Sequence, residues 1–149
     1  MLDSLEKTFG RLFDKNNNTA YKALQELQKE SEKSNRVYCY MDQLADMMDS
    51  DNSYIRTRGL TLIAYNAKWD KDNKIDEIID EYLKHIEDVK PITARQCIKL
   101  LPMIANNKPE LKDDIVSALK KADISIYADS MQSLVYRDIQ NSLAEIEKQ

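Results

Sequence analysis

The 149-residue sequence predicts an all-α fold, and three observations carry that prediction. Apolar residues recur at helical spacing along nearly the whole chain. No stretch alternates apolar and polar residues with the period of a strand. Two glycines and three prolines are too few to turn the many short strands of a sandwich or barrel.

The elements follow in order. Leu2, Leu5, Phe9, Leu12 and Phe13 form a first apolar stripe, and Ala20, Ala23, Leu24 and Leu27 a second. Val37, Met41, Leu44 and Met48 form a third. Ile75, Ile78, Ile79, Tyr82, Leu83 and Ile86 make a narrow stripe on one side of a helix. Leu111, Ile115, Ala118, Leu119 and Ala122 repeat it, and Met131, Leu134, Val135, Ile139, Leu143 and Ile146 close the chain. The helices starting near Ser53 and Pro91 are apolar around most of their circumference, as expected of helices touched by neighbours on several sides.

Breaks between these segments carry start signals. Thr19, Asn35, Ser53 and Asn73 are expected N-caps, and Asp129 with Gln132 resembles a capping box. Pro91 and Pro109 suit first-turn positions, where a missing N–H costs nothing. Pro102 falls inside a segment and is expected to kink its helix.

A chain of this length forms one ordinary domain, residues 1–149, burying about 70% of its unfolded surface without disulfides or metals. Its net charge of −4 gives no global pull toward nucleic acid or an anionic membrane. The first fifteen residues, MLDSLEKTFGRLFDK, lack an apolar run of signal or membrane-spanning length. Cys39 and Cys97 form no CxxC pair and read as reduced, buried small hydrophobes. The expected compartment is the cytoplasm.

Sliding the chain by 37 residues sets Asp51 on Asp88, Ile55 on Ile92, Arg58 on Arg95, Leu60 on Cys97 and Ile63 on Leu100. Sliding it by 36 the other way sets Arg58 on Lys22, Leu60 on Leu24 and Ile63 on Leu27. The unit is a broadly apolar "A" helix followed by a narrow-striped "B" helix, and such pairs stack into a right-handed α-solenoid. About three antiparallel pairs run from Thr19 to Asp123, with a half-repeat covering each end and about eight helices in all.

The segments DSDNSYIRTRGLTLIA and EDVKPITARQCIKLL carry a resemblance to the HEAT-like repeats of the armadillo/HEAT class. Each has an acid before the turn, an aliphatic residue in the first helical turn, an arginine, then small and large apolar residues. The basic residue that follows the aliphatic is Arg56 in the first segment but Thr93 in the second. The chain is also similar to small bacterial HEAT-like proteins without assigned activity. The resemblance implies a protein-binding module whose B helices line a concave surface.

Charge divides by helix type. Residues 53–69 hold three bases and no acid, as do residues 89–107. Residues 70–88 hold eight acids against three bases, and residues 39–51 hold four acids and no base. Arg58 and Arg95 share an azimuth, Lys22 takes the same place in the first repeat, and Lys99 follows Arg95 by one turn. This cationic ladder has two readings: surface ion pairs with acids of neighbouring repeats, or a site for an anion or an acidic protein. Arg56 projects to the apolar side, where it satisfies carbonyls or an acid of the preceding repeat.

The acids have two readings as well. They form a solvated face, or, by the resemblance, Asp42, Asp46, Asp80 and Glu81 receive a basic partner segment. Trp69, the one tryptophan, reads as a plug between helices and secondarily as an exposed anchor beside Tyr65 and Asn66.

Catalytic and metal signatures are missing from the sequence. There is one histidine, His85, and no HExxH, GxSxG, Walker loop or EF-hand spacing. No cofactor is implied, and two isolated cysteines make no iron–sulfur site. Some HEAT-like proteins are glycosylases that hold DNA in a basic groove, but the groove expected here is acidic. The sequence thus predicts a non-enzymatic, monomeric scaffold or adaptor for a protein partner. The alternative is an anion or nucleic-acid binder using Lys22, Arg58, Arg95 and Lys99.

Overall fold

The structure, a computed structural model, describes residues 4–149, so Leu2 of the first stripe lies outside the described residues. Eight α-helices occur among them, with no strand: α1 (Ser4–Gly10), α2 (Asn17–Lys33), α3 (Met41–Met48), α4 (Ser53–Tyr65), α5 (Lys74–Leu83), α6 (Pro91–Asn107), α7 (Lys112–Lys121) and α8 (Asp129–Glu147). Short 3-10 turns carry the chain into or out of most of these helices. The chain divides into two compact units, Met1–Asp70 and Lys71–Gln149.

In the first unit α2 and α4 run parallel, as cross-links at both ends show. Near their starts Arg58 reaches the Leu12 carbonyl and the Asn17 side chain. Near their ends Asn66 Nδ2 donates to Ser31 Oγ at 3.1 Å, Trp69 Nε1 donates to the Ser31 carbonyl at 2.7 Å, and Lys68 donates to the Glu32 carbonyl. These end contacts span 35 to 38 positions, the spacing of the sequence repeat.

The α3 helix packs against α4 so closely that a Cβ on Gly59 would meet Met47 Cβ at 2.8 Å and the Leu44 carbonyl oxygen at 3.0 Å. Hydrogen is the one side chain that fits there. Nearly all of α4 from Arg56 onward is buried, as its broad apolar arc predicts.

In the second unit α6 and α8 are likewise parallel. Tyr127 Oη donates to the Asp88 carbonyl at 2.6 Å, Arg95 Nε to Asp138 at 2.6 Å, Ser142 Oγ to the Ile98 carbonyl at 2.8 Å, and Gln149 Nε2 to the Pro102 carbonyl at 2.8 Å. The core here combines Ile75, Ile79 and Tyr82 with Ile98, Leu101, Ile115, Leu119, Val135 and Ile146. Lys108 is almost fully buried, with Nζ 2.7 Å from Asn73 Oδ1, 2.8 Å from Asp76 and 3.2 Å from Glu110, so it ties the end of α6 to the start of α5.

Several local expectations shift. The cap of α2 is Asn16, whose Oδ1 accepts from the amides of Asn18 and Thr19, so Thr19 lies inside the first turn. Asn52 rather than Ser53 caps α4 in the same way. In both cases asparagine wins because its carbonyl oxygen reaches the second and third amides from extended backbone.

Asn35 precedes a 3-10 turn, Val37–Tyr40, and α3 begins only at Met41. Asn73 stands before α5 in a left-handed conformation (φ 56°) and spends its side chain on Lys108 instead of the helix. Gln132 folds back onto Asp129 and the Tyr127 carbonyl, while Ala128 holds the cap position. Pro102 lies inside α6, as its segment predicts, and the helix continues on both sides of it.

Candidate interaction surfaces

The two arginines of segment 49–64 have different duties. Arg56 Nη1 donates to the carbonyls of Ser50 and Asp51, at 3.1 and 3.2 Å, and so closes the loop that enters α4. This is the carbonyl-satisfying role expected of it.

Arg58 is only 7% exposed. Its Nη1 donates to the Leu12 carbonyl at 2.8 Å, Nη2 to Asn17 Oδ1 at 3.3 Å, and the Tyr54 ring centroid lies 5.8 Å from its guanidinium carbon. No carboxylate among the described residues pairs with it. Burial lowers the guanidinium's pKa, and the nearby Tyr54 partly offsets that effect.

Arg95 is bound differently. Its Nε lies 2.6 Å from Asp138 Oδ2, and Asp138 is buried against α6. The hydrogen bond to Asp138 raises the guanidinium's pKa, with burial working the other way. An arginine answering an acid of a neighbouring helix is the first of the two readings of the ladder, realised at this position. Lys22 and Lys99 are exposed. Two members of the ladder are therefore committed to internal bonds and two face solvent.

The acids also lie on exposed positions. Asp42 and Asp46 are exposed on α3, and Asp80 and Glu81 on α5, where Glu81 is 2.8 Å from Lys84. Trp69 is half-buried, its indole N–H tied to Ser31 and its ring 5.1 Å from Lys68 Nζ, which fits the plug reading.

His85 shares a 2.7 Å contact with Asp88, whose other oxygen accepts the Lys90 amide, so the histidine helps to fix the entry to α6. Cys97 is buried and its thiol pKa is pushed well up by burial, with Asp88 adding to the shift. Cys39 departs from expectation by being exposed. It sits in the 3-10 turn, where Val37 and Tyr38 take the inward positions, and its Sγ donates to the Arg36 carbonyl at 3.1 Å.

Sequence reasoning missed four groups that shape these surfaces: Asp138, Gly59, Lys108 and Asn17. Asp138 and Lys108 carry no mark in the sequence, since their partners lie on other helices. Gly59 alone left a signal, a glycine inside an otherwise strong helix.

Among the described residues no helix is long and apolar enough to cross a membrane, and no three His, Cys, Asp or Glu side chains gather to hold a metal ion. Two pairs of parallel helices, α2 with α4 and α6 with α8, each cross-linked along its length, mark a helical-repeat protein. The HEAT repeat domain pattern matches residues 2–143, and the chain belongs to the HEAT repeat family. HEAT repeats are generally protein-interaction scaffolds. No curated protein and no solved structure matches the chain.

Proposed function

We propose that residues 1–149 act as one non-catalytic HEAT-repeat module, a cytoplasmic monomer that scaffolds or adapts a protein partner. The match to the HEAT repeat domain across residues 2–143 carries this reading. Exposed large apolar side chains support it: Phe13, Tyr21, Tyr54, Val89, Ile92 and Tyr136 stay open to solvent beside a well-packed core. Such side chains gain free energy when a partner covers them.

Within the charged positions, Lys22, Lys99, Asp42, Asp46, Asp80 and Glu81 are the exposed ones and so the ones a partner would meet. Arg58 and Arg95 serve the surface by holding helices in place beneath it.

The test is cross-linking of the tagged chain to its partner in cells, then reconstitution with the purified partner. Asp80→Lys/Glu81→Lys and Lys22→Glu/Lys99→Glu variants are compared with the parent chain. Loss of reconstituted binding in one pair, with folding intact by circular dichroism, supports the reading and names the face. A chain that binds no protein when reconstituted, or that turns over a substrate, overturns it.

A further inference from the structure

Inside the second unit, α7 and the end of α8 leave an open groove of about 600 Å³ between them. Ile146, fully buried, makes its floor, and Val116 and Leu143 stand half-buried in its sides. Its α7 wall runs from Lys112 through Val116 to Lys120, a row at four-residue spacing, with Asp113 and Lys121 in the row beside it. The groove therefore follows α7 over its whole length, about 14 Å.

The charges that line it are mixed but ordered. Lys120 and Lys121, both exposed, occupy the last turn of α7, and no acid lines that end. At the other end Asp113 and Glu147, both exposed, outnumber Lys112. Glu147 belongs to that end because α7 starts where α6 finishes, and α8 runs beside α6 in the same direction as far as the Gln149–Pro102 bond. Among the described residues none of these five side chains forms an ion pair.

That order selects an occupant. Acids favour the first turn of a helix and bases the last. Laid antiparallel to α7, a helix of that kind sets its acids on Lys120 and Lys121 and its bases on Asp113 and Glu147. Apolar side chains at three- and four-residue spacing along it cover Val116 and Leu143. The footprint is about 14 Å by one helix width of about 10 Å. It falls far short of the roughly 800 Å² per partner of a stable dimer face, so it suits one helix and not a second copy of the chain.

Resting on the scaffold reading above, we propose that the groove between α7 and α8 seats an amphipathic helix of a protein partner, antiparallel to α7. The acidic first turn of that helix lies on Lys120 and Lys121, and its basic last turn on Asp113 and Glu147. The acids of α3 and α5 take no part in this seat.

The test uses the full chain and two labelled probes. One is a blocked, leucine-striped helical peptide of about five turns, with glutamates in its first turn and lysines in its last. The other is its twin with every charge replaced by glutamine. Fluorescence anisotropy is read for the parent chain and for Lys120→Glu/Lys121→Glu, two exposed changes that leave the core alone. The charged peptide is expected to bind the parent about tenfold tighter than its twin does, and the variant to lose that advantage. A nitroxide on the first turn of the charged peptide should broaden the amide signals of Lys120 and Lys121 more than those of Asp113 and Glu147.

Absence of binding, equal binding of the twin, or broadening strongest at Asp113 and Glu147 overturns the seat. So does self-association of the parent chain in sedimentation that Lys120→Glu/Lys121→Glu abolishes, since a second copy then fills the groove. A reconstituted partner that binds the Lys120→Glu/Lys121→Glu chain undiminished leaves the scaffold reading standing and overturns this one.

Discussion

Ser142 Oγ donates to the carbonyl of Ile98 at 2.8 Å, and that carbonyl is the one stranded by Pro102. In a helix the amide four residues ahead serves each carbonyl, and proline has none to offer. The hydroxyl from α8 takes its place, which is how α6 runs on past an internal proline. The expected cost of Ser142→Ala is about 1–2 kcal/mol, since it orphans a buried acceptor. In a Pro102→Ala background the same change is expected to cost clearly less, because a restored amide serves Ile98. A double-mutant cycle by urea denaturation measures the coupling, and an additive result removes the substitution argument.

Gly59 predicts an asymmetry between the two glycines. Gly59→Ala forces a methyl against Met47 and the Leu44 carbonyl and is expected to destabilise by about 1–3 kcal/mol. Gly10→Ala meets nothing within 4 Å and is expected to be neutral or to stabilise by up to about 1 kcal/mol. Denaturation midpoints of the two single variants suffice to check this.

Arg58 and Arg95 are expected to answer salt differently. Arg95→Ala strips a buried carboxylate of its partner, a loss of about 2–3 kcal/mol. Adding Asp138→Asn should recover part of it. The cost of Arg95→Ala should shrink in high salt, because the lost interaction is between opposite charges and the arginine is partly exposed. Arg58 bonds neutral acceptors, so the cost of Arg58→Ala should hold steady across the same salt series.

The two thiols should separate in one experiment. Cys39 is exposed and should react with an aromatic disulfide reagent in the native state, whereas Cys97 should react only at the rate of unfolding. The pH sense follows from burial. The Cys97 pKa is raised on folding, so its contribution is fully present below the ordinary thiol value and is lost as pH climbs above it toward the folded value. Stability measured from pH 8 to pH 11 should fall less steeply in Cys97→Ala than in the parent, once each is referred to its own value at pH 8.

The repeat was legible because α2 and α4 solve the same packing problem at the same spacing: small residues where helices approach, large ones where they interlock. The broad arc of α4 announced its burial in the same way. Arg56 could be placed because it sits within reach of its own loop.

Arg58 could not be read. Its acceptor, the Leu12 carbonyl, is a backbone atom more than forty positions away, and a carbonyl has no identity in a sequence. Asp138 likewise shows its role only when α8 lies beside α6. Caps were read one to three residues too late at α2 and α4, since Asn16 and Asn52 each lie in runs of polar residues where several side chains look equally able.

The placement of Trp69 makes the two halves of the chain optically distinguishable. It is the one tryptophan of the protein, and its indole N–H is anchored to Ser31 inside Met1–Asp70, while Lys71–Gln149 contains none. Tryptophan emission therefore follows the surroundings of Trp69 in the first unit, against a far-ultraviolet helix signal that sums both. Superimposable curves would mean that the halves unfold as one cooperative body. A gap between them would time the loss of one half before the other, with no label added to the chain.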